Sequence, residues 1–178
     1  MANDDQGERV VIVDYDCQWP TAFEQEKALL AQALDHDFVE IHHIGSTSVP
    51  GLAAKPIIDI LVVVPRFAPL EEYRRRLEPL GYHHKFHLNE PVRLFFYNKG
   101  PQRTYHLHIV EYGTWEHRRH LLFRDYLRTH PDIAQEYERL KRRLASKFAD
   151  NRPVYTASKR GFVRAVIAMA AAELSLHA

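Results

Sequence analysis

The segment HHIGSTSVPGLAAKPIIDILVVV, His42 to Val64, carries the side-chain types that chemistry on a phosphate requires. Gly45 opens backbone conformations closed to other residues and lets a ligand approach the main chain. Ser46, Thr47 and Ser48 supply hydroxyls that bond phosphate oxygens alongside backbone N–H groups, and Lys55 follows as a charge partner. Hydroxyl side chains after a strand also cap helices, so the loop alone fits capping and phosphate binding equally. Asp59 is harder to explain as structure. It stands in the otherwise apolar run Ile57–Val64 and shares a strand face with Ile57, Leu61 and Val63. An ionised carboxylate buried there without a partner costs several kcal/mol. Asp59 must therefore lie at an opening of the sheet, pair with a cation such as Lys55 or an arginine, or bind a metal.

Other residues are candidates to join it. In YHLHIVE, His106 and His108 point to the same face of a strand, as two ligands to one metal must, and Glu111 points to the opposite face. The alternative places both histidines on a solvated or hydrogen-bonded face. His43 lies on the Gly45 side of its strand and within reach of the same cleft, whereas His42 faces the other way. Arg93 and Arg103 flank a hairpin and suit a bidentate phosphate clamp, although surface salt bridges explain them equally well. Arg124, in FRDYLR, either reaches the cleft or pairs with Asp125 or a carbonyl, and Lys159 has the same standing.

Elements must position these groups. WPTAFEQEKALLAQALD reads as a helix with Pro20 in its first turn and Phe23, Leu30 and Leu34 on one face. FVEIHHIG alternates as a strand, and the continuous apolar run to Val64 suits a central strand covered on both faces. PLEEYRRRLEPLG is a helix closed by Gly81, after which YHHKFH, VRLFFYN and RTYHLHIVEY are extended, with NKGP as a hairpin turn. Helices are expected over roughly 114–130, 131–148 and 155–176. In the second of these Ile133, Tyr137, Leu140, Leu144 and Phe148 form an apolar stripe. The pattern is an α/β (α+β) single domain spanning 1–178: a mixed β-sheet with flanking helices over about 9–112, then a helical C-terminal segment over 113–178.

Composition narrows the partners. A chain of 178 residues with 46% hydrophobic and 26% charged residues is ordinary for a globular protein, and a net charge of +1 gives no case for nucleic acid or an anionic membrane. Cys17 is the only cysteine, which excludes an internal disulfide and a thiolate zinc site. The acidic, polar start and the shortness of the apolar runs predict a cytoplasmic protein.

A strand, Gly-Ser, a gap of about a dozen residues and then Asp in an apolar strand resembles the signature of the nucleotidyltransferase fold. There the Gly-Ser loop holds nucleotide phosphates, and acids on neighbouring strands bind divalent metal. More closely, HHIGSTSVPGLAAKPIIDI, HLHIVEYG, LLFRDYLRTHPDIAQEYERLKRRLA and YTASKRGFV together resemble the GrpB family, in order, over essentially the whole chain. The resemblance implies a bacterial cytoplasmic protein of nucleotidyltransferase-like fold. It brings no established reaction with it, and related domains fused to dephospho-coenzyme A kinase suggest nucleotide or coenzyme chemistry. The superfamily pattern wants Asp-x-Asp or Asp-x-Glu, where this chain has Asp59-Ile60-Leu61, and leucine cannot ligate metal. Asp59 alone would hold magnesium only together with substrate phosphates. His106 and His108 occupy a place equivalent to a later-strand acid of the superfamily, and would shift the preference toward manganese, iron, nickel or zinc. The expectation is a divalent metal, Mg or Mn before Fe, Ni or Zn, with a nucleoside triphosphate as substrate and nucleotidyl or phosphoryl transfer to a small acceptor. The alternative is a degenerate nucleotide- or coenzyme-binding module that acts on a partner protein.

Overall fold

The two runs that bracket the glycine loop pair with each other. In the computed structural model, which describes residues 9–86, 92–98 and 104–176, Glu40–Ile44 forms strand β1 and Ile58–Val64 forms strand β2. They run antiparallel with Ile44 opposite Asp59, so the chain leaves β1 at the level of the aspartate. Three more strands follow: β3 (Tyr82–His84), β4 (Leu94–Asn98) and β5 (Tyr105–Glu111). The sheet order is β1-β2-β5-β4-β3, mixed as expected, with β5 parallel to β2 and the other pairs antiparallel. Parallel pairing sets His106 beside Asp59 and His108 beside Leu61. The NKGP turn and Arg103 lie outside the described residues.

One sheet face packs on α1 (Trp19–Ala33) and α2 (Leu70–Leu77). Trp19, Phe23, Leu30 and Leu34 meet Ile58, Ile60, Val62, Leu107 and Ile109 in the main core. Burying each of the larger aliphatic side chains contributes about 1.5–3 kcal/mol. Gly81, at φ 78° and ψ 13°, ends the turn after α2 in the left-handed conformation that glycine tolerates best.

The other sheet face carries Asp59 beside His106 at one end, Leu61 beside His108 next along, and Val63 beside Val110 beyond them, with Leu121 packed on Leu61, Val63 and Val110. The last third of the chain forms α3 (Trp115–Thr129), α4 (Pro131–Lys147), α5 (Arg152–Ser158) and α6 (Arg160–Leu176). Thr114 caps α3 by accepting from the His117 N–H at 3.3 Å, and Asn151 caps α5 by accepting from Val154 N–H at 3.1 Å. Helices α3, α4 and α6 close around Val49 and Leu52, which fastens the loop after β1 to the helical part.

Two expectations need correction. The final helix begins at Arg152 rather than Tyr155, because Asn151 supplies a cap and Pro153 fits a first turn. It is also divided at Lys159, and Gly161, just beyond, weakens helix there. On α4 the deeply buried line is Ala134, Tyr137, Lys141 and Ala145. Ile133, Leu140, Leu144 and Phe148 flank it, half-buried, so the helix is rotated by about one residue from the expected stripe. Among the described residues no helix is long and apolar enough to cross a membrane.

Candidate functional site

The loop and the aspartate meet. Gly45 has φ 70° and ψ −171°, a conformation essentially reserved for glycine. A Cβ placed there would lie 3.0 Å from Asp59 Cβ and Cγ and would collide with Asp59 Oδ2. The glycine therefore serves both backbone conformation and close approach to the carboxylate. Between the loop and α4–α5 opens a cleft of about 330 Å³, walled by Gly45, Ser46, Lys55, Asp59 and His106 on the sheet side. Tyr137, Lys141, Arg152, Tyr155, Thr156 and Lys159 form the helical side.

Asp59 is a braced carboxylate. His106 Nδ1 stands 3.0 Å from Asp59 Oδ1, and His108 Nε2 stands 3.8 Å from the same oxygen. The far nitrogen of each ring faces an arginine: His106 Nε2 accepts from Arg152 Nη2 at 3.2 Å, and His108 Nδ1 accepts from Arg93 Nη1 at 3.4 Å. Arginine only donates, so this network assigns the ring protons to the nitrogens that face Asp59. Burial holds both imidazoles below the usual histidine range, His108 at about 4, against the opposing pull of Asp59. Burial alone would raise the Asp59 carboxyl, but the His106 hydrogen bond and the nearby His108 outweigh it and hold the group well below the usual carboxylate range. The result is an ionised carboxylate whose Oδ1 is engaged by two neutral rings while Oδ2 faces Gly45.

The opposite wall is cationic. Lys141, only 2% exposed, donates from Nζ to the Ala53 carbonyl, and its ammonium lies 4.8 Å from the Tyr137 ring centroid. Burial, reinforced by Lys159, lowers its pKa to about 7. Lys159 stands 4.4 Å from the Tyr155 ring centroid, and burial lowers it to about 8 in spite of Asp59. Lys55 lies over the same ring at 5.8 Å. Tyr155 is fully buried and its phenol oxygen has no hydrogen-bond partner. One carboxylate thus faces four basic side chains, which creates a positive field in a low-dielectric recess.

The remaining sequence candidates fall in different places. The Ser46 hydroxyl lies in the cleft beside the Tyr137 phenol. Thr47 borders the cleft, but its hydroxyl is 3.0 Å from His43 Nε2 and donates to the Ile57 carbonyl at 3.3 Å. Ser48 turns inward and donates to the Gly45 carbonyl at 2.6 Å, fixing the loop's shape. His43 is buried, stacked on Phe23 with centroids 4.8 Å apart, and braces Thr47 from behind. Arg124 pairs with Asp125 at 2.7 Å and donates to the His43 carbonyl at 3.2 Å, a structural tie between α3 and β1. Arg93 is buried behind His108, and Glu111 accepts from the Phe67 N–H at 2.9 Å. Lys141, Arg152, Tyr155 and Thr156 were not anticipated. The one signal for Lys141 is a lysine four residues after Tyr137 on the buried side of α4, where solvent cannot reach its head group.

A mixed sheet with a glycine-serine loop set against a strand aspartate is the nucleotidyltransferase-like arrangement. The poly(U) polymerase Cid1, in its structure with Mg and 3'-dATP, shares that fold with TM-score 0.50 at 13% identity, over 73% of this chain and 41% of that one. The chain belongs to the GrpB family, whose pattern matches residues 9–169. The crystal structure of the conserved protein GrpB from Enterococcus faecalis superposes with TM-score 0.85 at 34% identity, covering 92% of this chain and 99% of that one. UPF0157 protein YqkA from Bacillus subtilis is 39% identical over 156 residues, which is 88% of this chain and 46% of that protein. A dephospho-CoA kinase from Mycolicibacterium paratuberculosis is 26% identical over 180 residues, 87% of this chain and 44% of that protein. The chain thus spans less than half the length of YqkA and of the kinase.

Proposed function

We propose that this chain binds a nucleoside triphosphate in the Gly45–Asp59 cleft and directs nucleotidyl or phosphoryl transfer to a small acceptor. The observation that carries the reading is the contact between Gly45 and Asp59 in a recess whose other wall is basic. Phosphates seated there meet the loop N–H groups and the Ser46 hydroxyl on one side. Lys55 stands beside the loop, and on the other side stand Lys141, Arg152 and Lys159. Basic side chains placed where charge develops are a principal means of accelerating transfer at phosphorus.

The donor set fits Mg or Mn held through one carboxylate oxygen, substrate phosphates and water. Asp59 would hold the ion, which would screen phosphate charge and orient the leaving group. His106 and His108 position Asp59 as hydrogen-bond donors. Ligation of Fe, Ni or Zn by these rings would displace the ring protons that now face the carboxylate. Calorimetry with nucleoside triphosphates and Mg or Mn tests the proposal. Saturable binding that weakens at least tenfold in Asp59→Asn is expected, whereas no binding, or equal binding by the variant, refutes it.

A second reading has its own observation. Leu61, at the place of the second superfamily acid, is fully buried with Val63, Val110 and Leu121, so that position is packed core. A chain that keeps the anion recess and lacks the second acid suits a nucleotide- or coenzyme-binding module acting on a partner protein, and the kinase relative is consistent with coenzyme A precursors as ligands. Tight binding without turnover across an acceptor panel selects this reading, and a detected transferred group eliminates it.

A further inference from the structure

On the edge strand, away from the cleft, Glu40 and His42 share one face of β1, and His117 from the first turn of α3 stands over them. Glu40 Oε2 is 2.7 Å from His42 Nε2 and 3.3 Å from His117 Nε2. Among the described residues this is the one group of three potential metal-ligating side chains whose ligand atoms all lie within 4.8 Å of one another. His117 is 7% exposed, and its Nε2 is buried with no well-formed hydrogen bond although Glu40 Oε2 lies 3.3 Å away. Buried ring nitrogens are ordinarily satisfied, so an orphan aimed at a carboxylate and a second imidazole asks for a further atom. His42 and Glu40 are partly exposed, which leaves a route for an ion and for water on the open side.

We infer that Glu40, His42 and His117 form a site for a divalent transition metal, zinc or cobalt rather than magnesium. Two imidazoles and one carboxylate are a donor set that borderline metals prefer over hard ones. Two ligands come from alternate positions of one strand and the third from a capped helix, so the set is largely organised before the ion arrives. Glu40 is a carboxylate, ionised at neutral pH as glutamates ordinarily are. Loading has two costs, the first being the His42 Nε2–Glu40 hydrogen bond that the ion replaces. The Gly113 N–H donates to His117 Nδ1 at 3.2 Å, which places the proton of the neutral ring on Nε2. Ligation through Nε2 moves that proton to Nδ1 and gives up the Gly113 contact, which weakens the site. This site shares no residue with the Asp59 cleft and does not depend on the function proposed for it.

Titration of the full chain with cobalt, followed by visible absorption, and with zinc, followed by calorimetry, tests the inference. Saturable one-to-one binding is expected, with His42→Ala weakening it at least tenfold and Asp59→Asn leaving it within twofold. Circular dichroism melts of both variants confirm that each is folded. Binding that persists in His42→Ala, binding that disappears in Asp59→Asn, or no saturable binding below millimolar metal overturns it.

Discussion

Replacing Gly45 with alanine tests the contact on which the cleft depends. The backbone at φ 70° and ψ −171° strains any residue with a Cβ, at about 1–3 kcal/mol. The new methyl also meets Asp59 Cβ and Cγ at 3.0 Å and overlaps Oδ2. Such overpacking costs roughly 1–3 kcal/mol more, because Asp59 is braced by His106 and has little freedom to retreat. The expected loss is about 2–6 kcal/mol, and at roughly 2–4 °C per kcal/mol for a chain of this size the melting midpoint falls by about 4–24 °C. Gly51→Ala is the control: Gly51 also has positive φ, 77°, but nothing lies within 4 Å of its would-be Cβ. It carries backbone strain alone, at the lower part of the range. Thermal melts by circular dichroism give the stabilities, and calorimetry with inorganic triphosphate gives binding, which should be weakened tenfold or more only in Gly45→Ala. Equal midpoints for the two variants together with native triphosphate affinity in Gly45→Ala would refute the claim that loop and carboxylate touch.

Stability should fall on acidification well before carboxylates titrate. His43 and His108 titrate at about 4 in the folded chain against 6.5 when unperturbed, so below pH 6.5 the unfolded chain takes up protons that the folded one refuses. The midpoint should decline steadily from pH 6.5 to 4, and the depressed Asp59 adds a loss below its ordinary value of 3.8; a flat profile from 6.5 to 4 would contradict the buried neutral imidazoles. Lys141→Met should keep or raise the melting midpoint, since a buried lysine is replaced by an apolar chain of similar length, while triphosphate affinity drops about tenfold, a loss of about 1.4 kcal/mol. Unchanged affinity would remove Lys141 from the recess. Triphosphate binding by the native chain should weaken as the pH rises through about 7 and 8, where Lys141 and Lys159 lose their protons; calorimetry across that range in matched salt checks it.

What the sequence revealed of this molecule follows the range of the interactions involved. The strands, α1, α3 and α4 were legible because each carries its own periodicity, and the conjunction of Gly45 with Asp59 was expected from the resemblance of the Gly-Ser…Asp pattern; the pairing of Ile44 opposite Asp59 brings it about. Of the basic wall, Lys159 was a candidate from the sequence, whereas Lys141 and Arg152 were not legible. Lys141 and Arg152 reach the cleft because α4 and α5 fold back over the sheet, a contact whose members lie more than eighty residues apart for Lys141 and Ala53 and forty-six apart for Arg152 and His106. Only its spacing of four after Tyr137 sets Lys141 apart from the solvated bases beside it in PDIAQEYERLKRRLASK, and a helix one residue off in rotation would send it to water. The same limit governs His106 and His108. Their alternation put them on the face of Asp59, but whether the rings act as ligands or as donors depends on Arg93 and Arg152 behind them, and those arginines arrive from a different strand approach and a different helix. Replacing Arg152 with methionine therefore separates the two roles. If the arginine fixes the His106 tautomer, its loss frees Nε2 and allows ring rotation, and the nitrogen-15 chemical shifts of His106 should move toward a mixture of tautomers while those of His108 stay in place. A His106 spectrum identical to that of the native chain would mean that Asp59 alone sets the ring, and the basic wall would then serve the ligand without tuning the carboxylate.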